Sequence, residues 1–470
     1  MGGRALTDFV SLGVLASRVP RDAVDDAVEA TGRQARRRGG KLPPHVVVYL
    51  VMALALFSDE DYEEVAERLT GALRDWGSWD ERWEPPTKGA VTQARQRLGP
   101  EPVEELFSQV AEPVAGLEAE GAFLGPWRLM PVDGTEFDVP DTPANRAAFG
   151  AGSRGGPFPR IRLVTVCECA SRAPVLAAMG PTVSKGSGEQ SLAGKLWPRL
   201  EQGWLLLADR LSCNWGDWCA AADSGADLLW RVKDDIVLPF LGLLPDGSYR
   251  SVLVETSVTG RRRDALTEAA RRGEDLDPAL ARHIRVIEYE VTDRDGQDGL
   301  IALLTTITDH RAAPAGILAA AYHRRWEHET ANAQVKTVLR GPGKILRSGS
   351  PELAEQEIWG YLLTAWAISA LISDAAAAAW TDPGRVSFTK AVRIIRRAIG
   401  PAFPPLTRLT PSSPRSRTRS PGNATSPPAA RTAPAPASSN AGAPATTPSR
   451  NPATTAPATT GHPPSGSPTR

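Results

Sequence analysis

Cysteine is scarce in this 470-residue chain, which has four. That number is too small for a disulfide framework at this length. Metal-binding pairs of the usual spacing are also lacking, because Cys167 and Cys169 share a predicted strand while Cys213 and Cys219 lie six residues apart. We interpret the four residues as buried or incidental thiols rather than zinc ligands. With no secretory signal evident, the expected location is the cytoplasm.

Long apolar runs are also missing. The longest, VVVYLVMALALF at residues 46–57, has twelve residues, whereas a helix that spans a bilayer needs about 20. The run therefore predicts a buried core helix, and no membrane partner is expected.

Neither sign of charge is in excess, since Lys plus Arg and Asp plus Glu number 54 each. Nucleic-acid binding would therefore have to come from local basic patches. Acidic residues are absent from residues 401–470, which hold seven arginines and are rich in Pro, Ala, Ser and Thr. With almost no large apolar side chains to bury, this tail is predicted to be disordered.

Helical patterns dominate residues 1–120. Within them, TKGAVTQARQRLG predicts a helix capped by Thr87 and ended by Gly99. Its basic side chains are predicted to point away from its apolar face: Lys88, Arg95 and Arg97. The segment is either the second helix of a DNA-binding module or an ordinary amphipathic helix with a solvated basic face.

From Trp127 onward, strand patterns alternate with helical ones, which indicates an α/β fold. Predicted strands include WRLMPVDG, ending in an Asp-Gly turn, then RIRLVTVCECA, APVLAAMGP and WLLLAD. A helix is predicted for SGEQSLAGKLWPRLEQG, and a long helix is predicted to begin near Pro314.

That long helix contains YHRRWEHETANAQVK. At about 100° per residue, Tyr322, Arg325, Glu329 and Lys336 fall within an arc of about 60° and span about 21 Å. The stripe is either a solvated face with a weak Arg325–Glu329 ion pair or one side of a site that follows a DNA backbone. Tyr322 and Trp326 favour the second interpretation, because large aromatic rings suit stacking or packing on a ligand.

Two aspartates follow apolar strand patterns, Asp133 after LMPV and Asp209 after WLLLA. Either one alone could be only a turn residue or a helix cap. Together with Glu329 they form a set of three carboxylates on strand, strand and helix. Such a set is stable only with cations present. Since Mg²⁺ prefers carboxylate oxygens and two such ions support phosphodiester cleavage, the set predicts a Mg²⁺-dependent site.

The spacing Tyr, two residues, Arg, three residues, Glu, six residues, Lys resembles the signature of DDE transposases of the insertion-sequence-four family, as does the Trp after the Arg. VDGTEFDVP around Asp133 and LLLADRLSCNW around Asp209 resemble the family's two aspartate motifs. The resemblance covers roughly residues 5–400. It implies an RNase H-like core with a β-rich insertion. It also implies cleavage at terminal inverted repeats through hairpin ends, followed by strand transfer into target DNA. The cofactors implied are two Mg²⁺ ions, which Mn²⁺ could replace.

The resemblance also implies roles for individual residues. The expected metal ligands are Asp133, Asp209 and Glu329. The expected contacts to phosphates near the transposon end are Tyr322, Arg325 and Lys336. Trp326 would occupy the space of a flipped base, whereas Trp230 is predicted to belong to the sheet core. The expected partners are double-stranded DNA of the transposon ends and target, and a second copy in a homodimer on DNA.

The predicted divisions are a helical N-terminal DNA-binding domain (1–120), the catalytic core (121–225 and 299–400), the β-rich insertion (226–298) and the tail (401–470). The tail departs from the family, and we hypothesise that a frameshift replaced the native ending. Two alternatives to an active transposase follow. One is a catalytically silent relic that only binds DNA, and the other is an RNase H-like nuclease without strand transfer.

Overall fold

The computed structural model describes residues 13–35, 42–75, 86–150, 156–183, 186, 188–210, 213–233, 236, 238–292 and 298–399. Residues 401–470 lie outside these ranges, so the predictions about the tail stay predictions.

Helices occupy the described part of the chain before the first strand. They are α1 (Arg21–Ala30), α2 (Pro44–Leu56), α3 (Tyr62–Asp75), α4 (Lys88–Leu98) and α5 (Glu101–Val110), after a short 3₁₀ turn at Gly13–Ser17. The apolar run forms α2, which is buried along nearly its whole length, as expected. The predicted ends of α4 are confirmed, since Thr87 Oγ1 accepts a hydrogen bond from the Ala90 amide at 3.3 Å and Gly99 follows with φ 72°.

The basic residues of α4 do not all point away from the core. Arg95 is 1% exposed, and its guanidinium donates hydrogen bonds to Gln356 Oε1 and Tyr62 Oη, both at 2.8 Å, and to the Leu353 carbonyl at 3.0 Å. The prediction for Arg95 is therefore wrong. A buried arginine is tolerated here because polar groups from distant segments satisfy its donors.

A mixed sheet, ten-stranded in the described ranges, follows. Its strands are β1 (Phe123–Leu124), β2 (Trp127–Asp138), β3 (Arg160–Cys167), β4 (Pro174–Pro181), β5 (Trp204–Ala208), β6 (Asp227–Arg231), β7 (Gly242–Leu243), β8 (Tyr249–Val254), β9 (Ala281–Thr292) and β10 (Asp298–Thr305). They run in the order β4-β3-β2-β5-β6-β10-β9-β8-β7, with β1 beside β2. Strands β2, β5 and β6 are parallel neighbours, whereas the other pairs are antiparallel. The strands of the predicted insertion thus continue the same sheet.

Eight further helices accompany the sheet in the described ranges. They are α6 (Pro143–Phe149), α7 (Glu189–Ala193), α8 (Trp215–Ala222), α9 (Gly260–Arg272), α10 (Ala315–His323), α11 (Glu327–Ala333), α12 (Pro351–Ala378) and α13 (Phe388–Ala398). By length and hydropathy, α12 could cross a membrane, but 72% of its most apolar stretch is buried inside the protein, where it packs against α2 and α5.

Two helical predictions need correction. The segment SGEQSLAGKLWPRLEQG forms only the five-residue α7 and a 3₁₀ turn at Trp197–Arg199. The long helix after Pro314 is not uniform, because a 3₁₀ turn at Arg324–Trp326 separates α10 from α11 and a π-helical stretch at Gln334–Leu339 follows. The angular spacing of its side chains therefore departs from that of a regular α-helix.

The two faces of the central strands pack into different clusters. Leu129 of β2 and Leu207 of β5 pack with α10, whereas Val132 and Ala208 pack with residues of α7 and α8. The core assignment of Trp230 is confirmed. Its ring is fully buried and contacts the rings of Trp197 and Trp218, at centroid distances of 5.7 and 5.3 Å.

Candidate active site

The two predicted aspartates lie at equivalent positions of neighbouring parallel strands. The last paired residues of β2 and β5 are Pro131 and Leu207. Asp133 and Asp209 each come two residues later, so the same register sets them side by side, with strands about 4.8 Å apart. Ligand sites of α/β sheets form at such carboxyl ends of parallel strands.

Asp133 does not end its strand. β2 continues to Asp138 and pairs with β3, where Asp133 lies opposite Thr165. The Gly134 amide donates to Asp133 Oδ1 at 2.8 Å within this extended stretch. The expected Asp-Gly turn is therefore wrong, because the antiparallel pairing with β3 keeps the backbone extended past the point where β5 ends.

The segment from α10 to Leu339 lies along the same part of β2. Arg325 Nη1 is 3.6 Å from Asp133 Oδ2, and Lys336 Nζ donates to Thr135 Oγ1 at 3.0 Å. Burial lowers the pKa of Lys336, and the neighbouring Arg340 lowers it further. Two of the three predicted phosphate-contacting residues thus lie beside the aspartate strand.

Tyr322, the third of these residues, is placed differently from its partners. Its side chain is 6% exposed and packs in the core beside Leu318. Burial raises the pKa of Tyr322, whereas Arg325, to which it is hydrogen-bonded, opposes the rise. The solvated-face interpretation of the stripe therefore does not hold for Tyr322, which is buried, whereas Glu329 is exposed. Tyr322 is thus a buried hydrogen-bond partner of Arg325, whereas Trp326 is 61% exposed.

Glu329 has an exposed side chain on α11. Its neighbour in sequence, His328, is fully buried, with Nε2 2.9 Å from both Oγ1 and the carbonyl oxygen of Thr165. In the sequence, no partner constellation accompanies His328. The structure shows that it attaches the Glu329 helix to β3.

Glu189, the first residue of α7, escaped sequence reasoning. Its half-buried side chain lies on Gly134, and its carboxyl carbon is 2.6 Å from where a Cβ at that glycine would stand. Burial raises the pKa of Glu189, and the charges of Asp133 and Asp209 raise it further. A glutamate inside a predicted helix with no motif around it gives no signal in the sequence.

The donors here are carboxylate oxygens, the ligands that Mg²⁺ prefers. Burial is the main cause of the raised pKa of Glu189, and repulsion from Asp133 and Asp209 adds to it; a bound cation would relieve that repulsion. Within the described ranges, no group of three His, Cys, Asp or Glu side chains is arranged to hold a metal ion. The chemistry of the donor set therefore fits Mg²⁺, although the carboxylates do not form a preassembled cage.

Comparisons with known proteins agree with these observations. Residues 9–108 match the family model described as insertion element 4 transposase N-terminal. The chain is 28% identical over 331 residues, 69% of each protein, to transposase InsG for insertion sequence element IS4 of Escherichia coli (strain K12). It is 26% identical over 208 residues to the putative transposase InsZ of the same organism, covering 43% of this chain and 64% of InsZ.

A solved structure of the piggyBac transposase synaptic complex with hairpin DNA shows a weak overall likeness. Its TM-score is 0.43 at 8% identity, over 86% of this chain and 82% of that one. The family model and the curated relatives define the class of this protein, which is a transposase. Within that class, the chain is similar to transposases of the insertion-sequence-four (IS4) family.

Proposed function

We propose that this protein binds the terminal inverted repeats of an insertion sequence and catalyses Mg²⁺-dependent DNA cleavage through hairpin ends, followed by strand transfer. The observation that carries the proposal is the parallel register of β2 and β5, which pairs Pro131 with Leu207 and so sets Asp133 and Asp209, each two residues later, beside each other. The segment with Arg325, Glu329 and Lys336 runs beside them. Acids on a mixed sheet with a helix across one face support the proposed RNase H-like core.

Asp133, Asp209 and Glu329 are the residues that would hold the metal. When bound, two Mg²⁺ ions, or Mn²⁺ in their place, stabilise charge on the phosphoryl oxygens and activate the attacking water or hydroxyl. The protein itself contributes two carboxylates fixed by sheet register and a third on a helix fastened to β3 through His328.

Arg325 and Lys336 would bind phosphates of the transposon end. A guanidinium presents five donors in a planar fork, which suits phosphate oxygens. The Nε of Arg325 is buried and has no hydrogen-bond partner among the described residues. Lys336 is positioned by Thr135 Oγ1 and by the Phe137 ring, 5.8 Å from its Nζ.

Trp326 would stack on a flipped base. Its ring is largely exposed and directly follows Arg325, so a base extruded beside a bound phosphate would meet an aromatic face. The protein would act in the cytoplasm on double-stranded DNA. It would act as a homodimer, because joining two transposon ends to one target brings two active sites together.

Purified protein incubated with inverted-repeat DNA and Mg²⁺ tests the proposal. We expect Asp133→Ala and Glu329→Gln to abolish cleavage while retaining DNA binding in a gel-shift assay. Glu290→Gln, which changes an exposed glutamate on β9, is the matched control and should cleave normally. Equal cleavage by Asp133→Ala and the unaltered protein would overturn the catalytic assignment.

The same assay separates the alternatives. Nicking by the unaltered protein without joining to target DNA would indicate a nuclease. Binding without cleavage in either Mg²⁺ or Mn²⁺ would indicate a catalytically silent DNA-binding relic.

A further inference from the structure

We propose that Glu189 is a fourth carboxylate of the site and binds the same divalent cations as Asp133 and Asp209. This inference rests on the proposed function. It assigns a role to a residue that lies between the two aspartate motifs in sequence and belongs to neither of them.

The position of α7 is fixed by the strands that carry both aspartates. Leu192 and Ala193, at its C-terminal end, pack in the same buried cluster as Val132 and Ala208. These last two residues directly precede Asp133 and Asp209. The short helix is therefore anchored on both strands next to the two aspartates, and its first residue is held close to them.

The contact with Gly134 directs the Glu189 side chain toward the strand. A Cβ at this position would lie 2.6 Å from the Glu189 carboxyl carbon and 2.7 Å from its Oε2. Such an approach is possible only over a residue without a side chain. The carboxylate thus rests on the residue that follows Asp133 rather than extending into solvent.

Other acids of β2 differ from Glu189 in their partners. Glu136 Oε1 accepts from Arg162 at 2.8 Å, and its Oε2 accepts from Arg160 at 3.3 Å. Asp138 Oδ1 accepts from Arg160 at 2.7 Å. These two acids lie in ion pairs. The charges of Asp133 and Asp209 act on Glu189 and are opposed by that of Arg162, and a bound cation would relieve the repulsion among the three acids.

A purely structural role for Glu189 at the start of α7 explains fewer of these observations than metal binding does. An acid in the first turn of a helix interacts favourably with the helix dipole, but α7 has only five residues. That interaction is available to a side chain pointing into water, so it does not require the close approach to Gly134.

Mn²⁺ binding to the full-length protein without DNA, followed by electron paramagnetic resonance, tests the inference without relying on activity. We expect Glu189→Gln to weaken binding on the order of tenfold or more, as for loss of a group around a metal. The matched control is Glu136→Gln, which removes an ion-paired acid of the same strand region and should bind Mn²⁺ normally. Circular dichroism and thermal unfolding of each variant monitor folding.

A second variant leaves every carboxylate in place. Gly134→Ala should displace Glu189 and also weaken Mn²⁺ binding, whereas unchanged binding by a folded Gly134→Ala protein would contradict the geometry proposed here. If Asp133→Ala weakens Mn²⁺ binding and Glu189→Gln does not, the role of Glu189 is overturned and the proposed metal site stands. If neither variant changes Mn²⁺ binding, the proposed metal site itself fails.

Discussion

His328 fastens the helix that carries Glu329 to the strand that pairs with Asp133. Its Nε2 lies 2.9 Å from the Thr165 carbonyl oxygen, to which it donates, and Asn332 Nδ2 donates to its Nδ1 at 3.1 Å. The ring is fully buried, and burial lowers the pKa of His328. A neutral imidazole with one donor and one acceptor satisfies both contacts.

Replacing the His328 ring should weaken the attachment of the Glu329 helix to β3. We expect His328→Ala to lower the free energy of unfolding by about 2–4 kcal/mol, because it leaves a cavity and removes buried hydrogen bonds. DNA cleavage should fall as well, since Glu329 is the next residue. Urea unfolding and cleavage rates give the two measurements. His323→Ala, at an exposed histidine of α10, is the control, and an equally small effect of both substitutions would refute the prediction.

Arg95 should contribute to stability rather than to DNA recognition. Arg95→Met is expected to reduce the free energy of unfolding by about 3 kcal/mol, because polar partners such as Gln356 and Tyr62 lose their donor in a buried position. Arg97, exposed on the same helix, provides the comparison: Arg97→Met should stay within about 0.5 kcal/mol. Chemical denaturation of both variants measures the difference, and a similar stability loss in both would contradict the burial argument.

Lys336 should contribute a phosphate contact. Lys336→Met keeps an apolar stem beside Phe137 but removes the charge. We expect weaker binding of transposon-end DNA and a salt dependence of the binding constant reduced by about one unit of slope. Titrations at several salt concentrations measure this, with exposed Lys390→Met as control. An unchanged slope would show that Lys336 does not contact phosphate.

Glu355 should make stability depend on pH. Burial raises its pKa above the ordinary 4.5, and Glu104 raises it further. Between the raised value and 4.5 the folded state binds more protons than the unfolded state, so the free energy of unfolding rises as pH falls. At pH 7, Glu355→Gln should therefore be more stable than the unaltered protein, by about a few tenths of a kcal/mol.

Thermal unfolding across pH 4 to 8 checks this sign. The stability difference between the two proteins should shrink as the pH falls below 4.5, because the Glu355 carboxyl is then protonated in both states. Glu290→Gln supplies the control at an exposed site. Destabilisation by Glu355→Gln at pH 7 would refute the assignment.

Much of the local structure could be predicted from sequence. The apolar run that became α2 and the caps of α4 follow from side-chain chemistry within a few residues. The same reasoning failed at Asp133, where the Asp-Gly pair predicted a turn but pairing with β3 keeps the backbone extended. It failed again at Arg95, because an isolated helix does not reveal which polar groups of α12 will surround one of its charges.

By itself, the sequence determined the resemblance to insertion-sequence-four transposases, because the spacing from Tyr322 to Lys336 and the aspartate motifs are local patterns. Only the tertiary structure decided which groups meet. It aligned Asp133 with Asp209 through strand register, placed Glu189 on Gly134, and joined His328 to Thr165 across 163 residues of chain. Such contacts depend on how distant segments pack, and short-range patterns carry no information about that packing.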